Sequence, residues 1–295
     1  KVRHESIYLT VDYYRKKGYS VLLICSILGI NKSSYYKHKR RIKPSKEKQD
    51  EQLCNLILEY HAAYDGILGY RRMAMFINKF NQTAYSEGYI HRLMMHLGIS
   101  ARIRRKKVSR TFVKPNYIRD NILARDFTAQ TPNEKWLTDV TEFSVPGESR
   151  KLYLSPIMDL YDNSIIEYEL SHRNTNQLVF RMFDRAISKN PGAKPIFHSD
   201  RGFQYTSKLF KNKIEVAGMK QSMSRVGKCI DNGPMEGFFG TLKTEMFYGK
   251  RFRSMEELIT KINGYIKFYN EERLQKRLKC LAPIEYRNQA LETSF

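Results

Sequence analysis

Cysteine is scarce in this chain, with four among 295 residues. Cys25, Cys54, Cys229 and Cys280 form no C-x-x-C pair, and no Cys/His set has zinc-finger spacing. A disulfide framework and a structural zinc are thereby excluded as organising devices, and a reducing cytoplasm is the expected setting. Long apolar runs are missing as well. No stretch approaches the roughly 18 residues of a membrane span, so no membrane partner is expected. There is no internal repeat and no low-complexity segment. The first residue is Lys1, with no signal-like apolar segment behind it, as expected of a fragment or the downstream half of a longer product. Acid is the other shortage: 30 Asp and Glu stand against 52 Lys and Arg, for a net charge of +22.

That imbalance calls for a polyanionic partner, nucleic acid before anionic membrane. It is also uneven. Residues 1–110 hold 23 Lys and Arg against 8 Asp and Glu, leaving 29 against 22 for the rest. The N-terminal third is therefore the expected phosphate-binding part. A chain of 295 residues, 41% hydrophobic and 28% charged, fits a folded protein of two or three modules.

Residues 7–18 read as a helix. Ser20 then caps an apolar helix over Val21–Leu28, Gly29 turns the chain, and Asn31 caps a polar helix. That order is either a helix-turn-helix or an ordinary helical hairpin. In the first case Lys32, Ser33, Ser34, Tyr35 and Lys37 face a major groove. Further helices are expected at 46–61, 70–80 and 86–97. The segment ARIRRKKVSR follows, with Arg102, Arg104, Arg105, Lys106, Lys107 and Arg110. Charge this dense resists packing, and it reads as a basic arm on phosphates, a flexible linker, or both.

From Glu134 the texture changes. KWLTDVTEFSV, KLYLSPIMDLY and SIIEYELSH read as an antiparallel meander. A helix at 176–189, the strand PIFHSD, a helix at 207–217 and a strand at 220–224 follow. The rest, 231–290, reads as mostly helical. The fold class is α/β, a mixed sheet with packed helices. The expected domains are a helix-turn-helix segment 1–45, a second helical DNA-binding domain 46–100, a basic linker 101–130, a catalytic core 131–250 and a helical tail 251–295. Trp136 is expected in the core.

Asp139 falls inside the first strand, where aspartate is unfavourable, on the face of Leu137, Thr141 and Phe143. Asp200 ends PIFHSD beside Gly202, where α/β sheets place sites. Glu236 opens a helix in DNGPMEGFFGTLKTE. Three carboxylates from separate elements suit magnesium or manganese rather than zinc. Two such ions can clamp a phosphodiester. On position alone, Asp159, Asp162 and Glu245 compete for the same role.

Motifs separate them. Thirty-five residues lie between Asp200 and Glu236. With that spacing the second half resembles the catalytic domain of the retroviral-integrase superfamily and its Asp–Asp–Glu triad. HSDRGFQYTS, DNGPMEGFFGTLKTE and YNEERLQKRLKCLAPIEY together resemble the second-reading-frame transposases of bacterial insertion sequences, the "IS three" family. That family also carries upstream helix-turn-helix segments, here HAAYDGILGYRRM with Arg71 and Arg72.

The resemblance implies a ribonuclease-H-like five-stranded mixed sheet whose first and fourth strands bring Asp139 and Asp200 together, with Glu236 on the helix that follows. It implies Asp139, Asp200 and Glu236 as catalytic and metal ligands for two Mg2+ or Mn2+ ions. Lys243 falls on the Glu236 face, as a phosphate holder or a solvated charge. His198 and Gln204 flank Asp200 as DNA contacts or structural supports. Arg273 belongs to a tail that packs on the core and touches DNA. Gln275 and Ala282 depart from the family's usual His and Ser, which puts fine contacts of the tail in doubt and leaves the triad intact.

The implied activity is copy-out, paste-in transposition on terminal inverted repeats and target DNA, through a circular intermediate. It is the work of at least a homodimer at the bacterial nucleoid, with an upstream-frame protein or fusion segment as a further partner. The rivals are a structure-specific metal-dependent nuclease and a catalytically inactive DNA-binding regulator.

Overall fold

A computed structural model describes residues 2–40, 44–101, 120–225 and 229–292. The chain divides into two units, Lys1–Leu58 and Glu59–Phe295. In the first, helix α1 (Val2–Lys16) precedes α2 (Val21–Ile27), and Ser20 Oγ accepts the Leu23 N–H at 3.3 Å as its cap. Gly29 takes a left-handed φ of 63°, which lets the chain leave α2 and turn. Asn31 Oδ1 accepts the Ser33 N–H at 2.8 Å and starts α3 (Lys32–Lys39). Val11, Ile24, Cys25 and Tyr35 make the small core of this unit. Helix α4 (Ser45–Ala63) begins in the first unit and ends in the second.

The second unit opens with α5 (Tyr70–Asn81) and α6 (Glu87–His96), which pack on each other. Among the described residues six strands follow: β1 (Lys135–Thr138), β2 (Thr141–Ser144), β3 (Lys151–Asp159), β4 (Ile165–Ser171), β5 (Ile196–Ser199) and β6 (Lys220–Met223). Strands β1 and β2 lie end to end along one side of β3. Thr138 pairs with Ile157 and Thr141 with Leu154, so a single register runs through the gap between them. They fill one strand position, β4 pairs with the other side of β3, and β5 and β6 continue in parallel from β1. The five positions and their mixed directions match the ribonuclease-H-like expectation.

One local expectation fails. Asp139 and Val140 lie between two strands, not inside one. The shared register sets Asp139 opposite Pro156, and proline has no N–H to complete a ladder pair.

Each sheet face is buried by helices. On one, α7 (Asn176–Lys189) and α8 (Lys208–Val216) cover Trp136, Ile157 and Phe197 with Val179, Phe183 and Phe210. On the other, α9 (Gly233–Leu242) and α10 (Met255–Glu271) cover Leu137, Phe143 and Leu154 with Phe238, Leu242 and Ile262. Each such side chain contributes about 1.5–3 kcal/mol relative to exposure. Trp136 is fully buried, as expected. Helix α11 (Pro283–Glu292) packs on α10.

The chain does not break at 100/101 or 250/251 into separate units. Ion pairs Arg72–Glu245, Lys79–Glu285 and Lys276–Glu87 tie α5 and α6 to the C-terminal part.

Candidate active site

Parallel pairing brings the first two carboxylates together. In the β1–β5 register Lys135 faces Ile196 and Leu137 faces His198. Carried two residues further, the same register sets Asp139 beside Asp200, each one residue past its strand end. Period-two alternation puts both on the side of Leu137 and His198, the side covered by α9. Helix α9 begins with Pro234 in its first positions and holds Glu236 in its first turn. A carboxylate there is favoured by the helix dipole.

Asp139 and Asp200 are half-buried, and their electrostatics are strained. Burial, then the charge of Asp200, pushes the Asp139 carboxyl well above the usual carboxylate range; Glu236 adds to the rise and Lys243 opposes it. Burial raises Asp200 as well, against a bond that Gly202 N–H donates to its Oδ1 at 2.8 Å. Gly202 leaves room for this geometry: a Cβ there would stand 3.0 Å from both Asp200 Oδ1 and Gln204 Oε1, and those side chains would have to shift slightly. Among the described residues neither aspartate has an ion pair. No three His, Cys, Asp or Glu side chains among those residues are gathered tightly enough to enclose a metal ion. Asp139 and Asp200 put carboxylate oxygens and excess negative charge side by side, with Glu236 close enough for its charge to act on Asp139. That fits a hard cation that keeps part of its shell for water or phosphate oxygens.

The competing acids have other work. Asp159 is buried and accepts the Asn133 and Tyr161 N–H groups at 2.7 and 3.0 Å and Arg287 Nη2 at 2.6 Å. Asp162 accepts Ser164 N–H and Arg287 Nε. Glu245 accepts from Arg72, Arg273 and the Tyr265 hydroxyl, and these partners hold its carboxyl below the ordinary value despite burial.

Several residues weighed as DNA contacts, His198 and Gln204 among them with a structural alternative, are turned inward. Tyr35 is fully buried and its hydroxyl donates to Asp12 at 2.7 Å, so it packs α3 instead of reading bases. His198 is fully buried between Ser222 Oγ at 2.9 Å and Ser224 Oγ at 3.1 Å, and burial lowers its pKa to about 4. As a neutral bridge from β5 to β6, it supports the Asp200 strand. Gln204 is buried and donates to Asn174 Oδ1. Arg72 and Arg273 turn their guanidiniums onto Glu245.

Lys243 opens a π-turn (Lys243–Phe247) in place of further α-helix. Its ammonium donates to the Glu142 carbonyl at 2.9 Å and lies 4.9 Å from the Phe143 ring centre. Arg71 stays exposed on α5, over the Tyr70 ring and 3.7 Å from Glu87. Lys32, Ser33, Ser34 and Lys37 are exposed and line one cleft with Tyr8, Tyr36, His38 and Arg40. Arg102, Arg104, Arg105, Lys106 and Lys107 lie outside the described residues.

Two residues that hold the site together escaped sequence reasoning. Asn232 Nδ2 donates to the Thr138 carbonyl at 3.1 Å, pinning the start of α9 to the residue before Asp139. Asp231 is fully buried and accepts from Asn121, Arg125 and Arg225, which gathers three chain segments under α9. Both lie in the DNG run already singled out for Glu236, so the motif carried the signal without the partners.

Comparison with known proteins defines the class first. Residues 129–229 and 236–291 match the Integrase core domain, and residues 48–107 match the HTH-like domain. The relatives then narrow it. The chain is 41% identical over 261 residues to the putative transposase InsK for insertion sequence element IS150 of Escherichia coli K12, covering 88% of this chain and 90% of InsK. It is 29% identical over 287 residues to transposase InsF for insertion sequence IS3fB of the same organism, covering 92% and 96%. The HTLV-2 integrase catalytic core domain in complex with magnesium aligns with a TM-score of 0.42 at 18% identity, over 54% of this chain and 98% of that one. The chain belongs to the insertion-sequence transposases that carry an integrase core domain.

Proposed function

We propose that the chain cuts and joins DNA at the ends of an insertion sequence, using Asp139, Asp200 and Glu236. The observation that carries this reading is the pairing of Asp139 with Asp200 at the ends of adjacent parallel strands, both carboxyls raised and neither ion-paired among the described residues. Half-buried like charges with no cation between them cost free energy that a bound cation repays.

Two magnesium or manganese ions, when bound, supply positive charge to the attacking and leaving oxygens of a phosphodiester. Asp139 and Asp200 offer them oxygens from the sheet, and Glu236 offers a third carboxylate from α9. Lys243, held at the Glu142 carbonyl, adds positive charge beside Asp139 for a phosphate. Leu137, fully buried on the same face two residues before Asp139, gives the site a fixed apolar neighbour.

The exposed Lys32, Ser33, Ser34 and Lys37 hold phosphates and base edges of the terminal inverted repeats. Arg71 and the basic run at 102–107 add phosphate contacts. Water cleaves one strand to free a 3′-hydroxyl, whose oxygen then attacks a phosphodiester near the other end, forming a new P–O bond as the old one breaks and the flanking strand leaves with its own 3′-hydroxyl. A circle results, and later insertion joins it to target DNA. Holding two ends requires at least two copies of the chain. The domain jobs follow: helices up to about residue 100 bind DNA, residues 131–250 carry the chemistry, and the tail braces them. The work takes place in the cytoplasm, on DNA in the nucleoid.

A strand-transfer assay tests this. The full chain, with Mg2+ and a labelled duplex copied from the DNA flanking its coding sequence, is expected to give nicked and then joined strands. Nicks without joining would mark a nuclease. Binding without nicks would mark an inactive regulator.

A further inference from the structure

Helix α9, which carries Glu236, runs directly into the π-turn Lys243–Phe247. Turns of this width are rare inside helices and recur at functional places. Glu245 sits at its centre with its side chain 5% exposed. Arg273 donates twice to it, Nε to Oε2 at 3.0 Å and Nη2 to Oε1 at 2.9 Å. The Tyr265 hydroxyl donates to Oε2 at 2.7 Å. The fourth bond comes from far away in sequence, as Arg72 Nη1 donates to Oε1 at 2.8 Å. Arg72 lies on α5, inside the HTH-like match, whereas Tyr265 and Arg273 belong to the C-terminal segment.

Two guanidiniums on one carboxylate leave surplus positive charge in a largely buried place. The paired bonds of Arg273 and the Tyr265 hydroxyl already satisfy Glu245. Burial and then the charge of Arg273 weaken the hold of Arg72 on its own proton. With Arg273 still paired to Glu245, loss of the Arg72 arm leaves no buried charge without a partner, and what the arm adds is a geometric tie between α5 and the π-turn. The other ties across this seam are more exposed: Lys250 to Asp65 at 2.7 Å and Lys276 to Glu87 at 2.7 Å.

We propose that Arg72 is a positioning residue for the cleavage reaction: acting through Glu245, it makes the placement of α9 and Glu236 depend on the seating of α5. DNA held by the HTH-like helices and chemistry at the carboxylates are then coupled through one buried side chain, without Arg72 touching DNA. The inference rests on the proposed assignment of Glu236 to the active site.

The test compares full-length Arg72→Met and Arg72→Lys with the unmodified chain. The probe is a duplex copied from the DNA flanking the coding sequence. Arg72→Met is expected to melt at an unchanged temperature and to bind the duplex with unchanged affinity. At saturating duplex and Mg2+ it should nick about tenfold more slowly, within the usual span of coupling between sites. Arg72→Lys should recover most of that loss. Hydrogen exchange, read without DNA or metal, should quicken for amides of residues 233–247 and stay unchanged in β3 and β4.

Unchanged exchange at 233–247 would overturn the proposal. So would unchanged nicking, or a loss of nicking matched by an equal loss of duplex binding, which would make Arg72 a DNA contact. If the unmodified chain does not nick at all, the proposed function fails, and the exchange measurement still decides whether Arg72 holds α9.

Discussion

Two groups of acids lie around this sheet and differ in how their charge is met. At the strand ends, Asp139 and Asp200 face each other with raised carboxyls and no ion pair among the described residues. Toward the C-terminal helices, Asp159 and Asp162 share Arg287, and Glu245 is enclosed by Arg72, Arg273 and Tyr265. Both groups are at least half-buried, so burial does not separate them. The second group carries its counter-ions in the fold. The first has no ion pair among the described residues, and on that difference structural work is proposed for one group and chemistry for the other.

The comparison can be broken from either side. The largest effect is expected at the strand ends. Asp139→Asn, Asp200→Asn or Glu236→Gln should reduce metal-dependent nicking by 10²- to 10³-fold or more, on the order of removing one charge-stabilising group. Binding to the flanking duplex, read by gel shift, should be unchanged. Next comes the paired group. Arg287→Met would leave Asp159 and Asp162 buried without a cation and should cost about 3–5 kcal/mol in denaturant unfolding.

Smaller and opposite in sign is Asp139→Asn in metal-free buffer. It removes repulsion and should stabilise by about 1 kcal/mol, a rise of roughly 2–4 °C in melting temperature. Lys32→Ala and Lys37→Ala should each lower the salt dependence of duplex binding by about one unit of slope, with little effect on nicking per bound complex.

Much of this was legible in the sequence. The helix expected at 176–189 runs over Asn176–Lys189. Ser20 and Asn31 cap the helices that their chemistry marks. The spacing from Asp200 to Glu236 and the DNG run pointed to the trio of acids that is proposed for the site. What stayed hidden depends on partners distant in sequence. Arg72 and Glu245 are 173 residues apart, and Arg287 and Asp159 are 128 apart. No local pattern distinguishes a guanidinium meant for phosphate from one meant for a buried carboxylate, so Arg72 and Arg273 read as DNA contacts. Tyr35 misled for a related reason, since it sits in a polar motif yet is fully buried; for His198 and Gln204, read as DNA contacts or structural supports, burial favours the second reading. The break at Asp139–Val140 needed the opposite strand, where Pro156 stands.

The most direct measurement is a Mn2+ titration of the full chain followed by melting temperature. An ion bound only by the folded protein stabilises by about 2.7 kcal/mol at a hundred times its dissociation constant. The unmodified chain and Lys37→Ala should both melt higher as Mn2+ rises, whereas Asp139→Asn and Asp200→Asn should lose most of that shift. An undiminished Mn2+ shift in both aspartate variants would contradict the assignment of these two carboxylates to the metal.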